Sequence, residues 1–106
     1  MSESENCVAL VSCPPDAAKA LARTLVESRH AACVNILPGI TSVYRWEKQL
    51  QEDDEALLVI KTTRARFEAL RDAVLQHHPY ELPEIIAVDI AAGYRPYLDW
   101  IRQCVA

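Results

Sequence analysis

Two adjacent imidazoles, His77 and His78, stand before Pro79 at the head of the segment HHPYELPEI. Neutral imidazole is a good ligand for copper and zinc, and a thiolate beside it would add soft character. Adjacent residues differ by about 100° around a helix and point to opposite faces of a strand. Both rings can therefore meet one ion only where the backbone turns, and Pro79 supplies a turn. The competing use is architectural. His77 continues a helical stripe through Phe67, Leu70 and Val74, and a protonated histidine at a helix C-terminus is favoured by the macrodipole. On this reading His78, set free of the helix by Pro79, is the better ligand, and His77 is held by the stripe.

A second constellation comprises Arg45, Trp46, Lys61, Tyr80, Glu81 and Glu84, which flank strand ends and the proline-bounded loop. A basic pair with carboxylates and aromatics suits either a small anionic ligand in a cleft between subunits or an interface salt-bridge network. The acidic run QEDDE, residues 51–55, lacks the spaced oxygens and the glycine of a calcium loop, so it reads as a solvated hairpin tip. No GxSxG, no phosphate loop and no nucleophile–base pair at a motif spacing occurs. The sequence gives an enzyme no positive support.

The elements that must position these residues are legible. CVALVSC (Cys7 to Cys13) suits a buried strand, and Pro14-Pro15-Asp16 opens a helix to Arg29, with Ala18, Leu21, Ala22, Leu25 and Val26 on one face. A long strand from Ala32 to Trp46 follows, which Pro38-Gly39 should bend or bulge because proline cannot donate to the ladder. The polar EKQLQEDDE forms an extended acidic tip to a hairpin whose second strand is Ala56 to Thr63. Thr63 is placed to cap a helix from Arg64 to about His77, ended by His78-Pro79. EIIAVDIAAG is the fourth strand, and a terminal helix carries Tyr94, Tyr97, Leu98, Ile101 and Val105 at helical spacing. The order is βαββαβ plus a helix, the ferredoxin-like α+β plan. Such a sheet leaves one face open, so the terminal helix or neighbouring subunits must cover it. The hairpin strands also exceed the usual ~5 to 6 residues, and their overhang needs a partner.

Composition narrows the classes. The 106 residues fit one domain, 1–106, with 1–6 as a flexible N-terminal segment. A 51% hydrophobic, 25% charged chain with two glycines is a globular composition. A net charge of -4 without a basic stripe argues against nucleic acid. No apolar run approaches the ~20 residues needed to span a bilayer, and the polar amino terminus has no secretory h-region. A cytoplasmic location is expected, in which Cys7, Cys13, Cys33 and Cys104 remain thiols.

Three motifs, AACVNILPGITSVYRWEKQLQ, LLVIKTT and HHPYELPEIIAVDI, occur in one order, and the chain resembles the CutA family of divalent cation tolerance proteins from about Val8 to Ile101. The resemblance implies a homotrimer built by strand pairing, kinship with PII signalling proteins, and binding of divalent copper, with zinc as another candidate cation. It also implies metal ligands at His77, at His78 and at a cysteine near the end of the first strand. Counted back from Pro15-Asp16, the family's cysteine position falls on Ser12, and Cys13 lies one residue later. In a regular strand that shift turns the side chain to the opposite face. Metal tolerance is the leading function implied. A PII-like sensor that binds a small metabolite between subunits is the alternative. An acylphosphatase-like enzyme shares the fold plan but needs an arginine after the first strand, which SCPPD lacks.

Overall fold

The computed structural model describes residues 5–106. The first strand, β1 (Asn6–Cys13), alternates in a way that sets the layering: Cys7, Ala9, Val11 and Cys13 are fully buried, whereas Val8 and Leu10 are half-buried. After a single 3-10 turn at Pro15–Ala17, α1 (Ala18–Glu27) follows, then β2 (Cys33–Trp46), β3 (Gln49–Thr63), α2 (Arg64–His77), β4 (Ile85–Asp89) and α3 (Arg95–Val105). The described strands form one antiparallel sheet in the order β2-β3-β1-β4, the expected ferredoxin-like topology with a terminal helix added.

One face of the sheet carries the main core. Ala9 and Val11 of β1 and Leu58 and Ile60 of β3 pack with Leu21 and Leu25 of α1 and Leu70 and Val74 of α2. The opposite face is bare: Val88, paired with Val8, and Ile86, paired with Leu10, are 54% and 51% exposed. The terminal helix covers little of it. Ile101 and Val105 bury against Ala32, Ile90 and Leu98 in a separate small cluster, while Tyr94, Tyr97 and Trp100 remain outside. The expected α3 stripe is thus met by Leu98, Ile101 and Val105 and not by its two tyrosines, and Val26 of the α1 stripe is likewise exposed.

Four boundary expectations are corrected. The hairpin turn is the residue pair Glu47-Lys48, both at positive φ, and the acidic run 51–55 lies inside β3. Two residues of left-handed backbone match the twist of the flanking strands, so a tight turn is favoured over a long tip. Glu55 in particular is buried, at 4% exposure. The expected flexible segment 1–6 lies in part outside the described residues. Asn6, its last member, begins β1 and is buried, with Nδ2 donating to the Leu98 carbonyl at 2.9 Å. His77 does not continue the buried stripe of α2, because its side chain is exposed. The fourth strand is shorter than EIIAVDIAAG, since pairing with β1 ends at Asp89.

Pro38-Gly39 bulges β2 as expected. Leu37 pairs with Leu57, but the next pair is Ile40 with Glu55, so β2 holds one extra residue there. The extra residue resets parity. Beyond it Ser42, Tyr44 and Trp46 lie opposite Asp53, Gln51 and Gln49, on the face that Glu55 shares. With 14 and 15 residues, β2 and β3 project past the sheet, and the molecule extends 45 Å against 25 and 23 Å.

Candidate functional site

The projecting hairpin and the loop after α2 enclose a cleft of about 670 Å³. Tyr44, Trp46 and Glu55 line it from the hairpin, and Tyr80, Glu81 and Glu84 line it from the loop. Ser12 closes the floor at the end of β1, with Ser42, Val43, Pro79 and Leu82 completing the walls.

A knot of hydrogen bonds holds the loop to the sheet. His78 follows the last residue of α2 in extended conformation, as the residue before a proline prefers. Its ring is buried, at 8% exposure. The Tyr80 N–H donates to Nδ1 at 3.1 Å, which places the ring proton on Nε2, and Nε2 donates to the Ser12 carbonyl at 2.7 Å. The Tyr80 hydroxyl in turn donates to Glu55 Oε2 at 2.8 Å, and the Ser12 hydroxyl donates to Glu84 Oε1 at 3.4 Å. The His78 and Tyr80 rings lie 4.7 Å apart in a tilted arrangement. Burial, and then the hydrogen bond to the Glu55 carboxylate, pushes the Tyr80 phenol well above the usual tyrosine range. At the outer end of the cleft the Tyr44 hydroxyl donates to Asp53, and that bond raises the Tyr44 phenol as well.

Of the six residues expected in a cleft, Trp46, Tyr80, Glu81 and Glu84 converge, and Arg45 and Lys61 do not line it. Arg45 pairs across from Leu50, on the parity opposite to Tyr44 and Trp46, and Lys61 bonds to Asn35 farther along the sheet. The cleft of one chain therefore lacks the basic pair and is acidic. Reading the sequence did not place Ser42, Tyr44 or Glu55 in the cleft, whereas Ser12, the position matching the family's cysteine, does line it. The period-2 pattern of β3 continued upstream from Leu57 would have placed Glu55 on the open face.

The residues named as metal ligands are differently disposed. His77 offers an exposed imidazole at the C-terminal end of α2, whereas both ring nitrogens of His78 are engaged within the protein. Accessibility is the reverse of the order expected from Pro79. Cys13 belongs to the main core, is fully buried, and has its thiol pushed up by burial and then by Glu55. Ser12, one residue earlier, lines the cleft. Among the described residues no three His, Cys, Asp or Glu side chains group as a ready-made metal site. The set fits an ion only if His78 releases one of its bonds.

An antiparallel ferredoxin-like domain with an overhanging hairpin, an open apolar face and a loop-bounded acidic cleft has the fold of PII-like α+β proteins. Residues 7–104 match the family described as CutA1 divalent ion tolerance protein, and the chain belongs to that family. It is 50% identical over 97 residues to the divalent-cation tolerance protein CutA of Thermus thermophilus, covering 91% of this chain and 94% of that one. It is 49% identical over 96 residues to Protein CutA of Homo sapiens, covering 90% of this chain but only 54% of that longer protein. The solved structure of the PII-like protein CutA from Nostoc in apo form superposes with a TM-score of 0.90 at 32% identity, over 94% of this chain and 97% of that one.

Proposed function

We propose that this protein is a homotrimeric divalent-cation-binding protein that supports metal tolerance, taking up Cu(II), with Zn(II) as a second candidate, at the His77-His78 turn. The observation that carries the metal reading is the exposed His77 imidazole in the last turn of α2, where the negative end of the helix dipole favours a cation. His78 joins as a second ligand when Nε2 or Nδ1 leaves its internal partner, at the cost of opening the loop. Cys13 contributes only if the strand end opens, because its sulfur lies in the core. Membership in a divalent-cation tolerance family supports the same reading. Assembly is supported by the bare sheet face and by the hairpin overhang, where Val43 and Leu50 are 59% and 69% exposed. Four free thiols suit a reducing compartment such as the cytoplasm.

Isothermal titration of Cu(II) into the wild type, His77→Ala and His78→Ala tests the site. Affinity should fall by at least about tenfold in His77→Ala and less in His78→Ala. Equal affinity in all three proteins would place any bound copper elsewhere.

The cleft favours a second reading, a PII-like regulator that binds a small metabolite there. Its volume falls in the range of ~300 to 1,000 Å³ usual for small-molecule sites.

A further inference from the structure

We infer that the cleft selects an organic cation, a compact ammonium group carried on an apolar body. This deepens the metabolite reading and rests on it.

The walls present three aromatic side chains, Tyr44, Trp46 and Tyr80, together with the carboxylates of Glu55, Glu81 and Glu84. None of the lining residues is Lys, Arg or His. Among the lining residues of this chain an anionic ligand finds no cationic partner and three carboxylates. Aromatic faces attract a cation through the ring quadrupole, and most strongly when the site is desolvated.

Glu55 makes the preference specific. It is 4% exposed, lines the cleft, and among the described residues forms no ion pair; the Tyr80 hydroxyl bonds one of its oxygens. A buried carboxylate ordinarily has a cationic partner, because removal from water is costly. A ligand ammonium would supply that partner where the chain does not. A bare metal ion fits less well. The carboxylates are spread over opposite walls and two are tied to Tyr80 and Ser12, so no three donors group around one point among the described residues. A metal has no use for the aromatic walls, whereas a substituted ammonium uses both.

The test follows Trp46 fluorescence in the Trp100→Phe background, on the full chain in its solution assembly, while choline is titrated against its neutral isostere 3,3-dimethylbutan-1-ol. Choline should shift Trp46 emission saturably and bind at least about tenfold more tightly than the alcohol, which has the same shape without the charge. Glu55→Gln should weaken choline by about tenfold and leave the alcohol unchanged. Since Glu55 is buried and its replacement can disturb folding, Glu81→Gln, on an exposed wall, serves as the second variant, with a loss of about threefold expected. Equal binding of choline and the alcohol would leave a ligand cleft but overturn its selection of cations. Saturable binding of an anion such as malate, with choline silent, would do the same. No response to any probe, with Trp46 buried in the assembly, would overturn both the cation proposal and the metabolite reading.

Discussion

His78 Nε2 lies 2.7 Å from the carbonyl oxygen of Ser12, joining the end of α2 to the end of β1 across 66 residues of chain. Two further contacts of the loop are tied to this one, because the same ring accepts the Tyr80 N–H and Tyr80 reaches Glu55. The pair is thus architectural in the free protein, whatever His77 binds.

Replacing His78 by Leu should destabilise the protein by about 2 kcal/mol, since Ser12 O and Tyr80 N–H would both lose a partner in a largely buried setting. Denaturant unfolding at fixed protein concentration measures it. A change below about 0.5 kcal/mol would show that water replaces the ring without penalty.

The Tyr80 phenol should be the last of the four tyrosines to ionise in a tyrosinate absorbance titration, and Tyr80→Phe should remove that final step. Its folded-state value is raised, so the stability it contributes is complete below about pH 10, the unfolded tyrosine value, and is lost as pH rises through the folded value. Glu55→Gln should bring the step down, because the charge that holds the proton is gone.

Gly39 sits at φ 73° with nothing within 4 Å of where a Cβ would stand. Gly39→Ala should therefore cost about 1 to 2 kcal/mol through backbone strain alone. Conversely Lys48→Gly, at φ 69° in the hairpin turn, should stabilise by some tenths to about 1 kcal/mol. Thermal melts of the two variants should move in opposite directions; a shared direction would show that something other than φ governs these sites.

Light scattering should return three times the 11.9 kDa mass of one chain. Val43→Asp with Leu50→Asp, both exposed on the hairpin, should shift the population toward single chains and lower the melting temperature, because dissociation is linked to unfolding. A wild-type mass near that of one chain would remove the assembly proposal.

Local pattern settled much of this protein. The alternation of Cys7 to Cys13, the stripe Leu70 and Val74, the strand-breaking Pro38-Gly39 and the helix stop at His78-Pro79 each follow from forces acting within a few residues, and the structure contains them where the pattern puts them. The motifs likewise sufficed to mark the CutA resemblance. Tertiary structure alone decided which polar residues meet. Glu55 reads as surface in an acidic run, yet the tight Glu47-Lys48 turn draws that run into β3, and the one-residue bulge in β2 brings Tyr44 and Trp46 round to its face. Local pattern ranked the two histidines by helix stripe and Pro79, but only the fold presents the Ser12 carbonyl to His78 and solvent to His77, which reverses that order. Burial and charge pairing depend on contacts between distant segments, and no periodicity within a segment encodes what the opposing segment will offer.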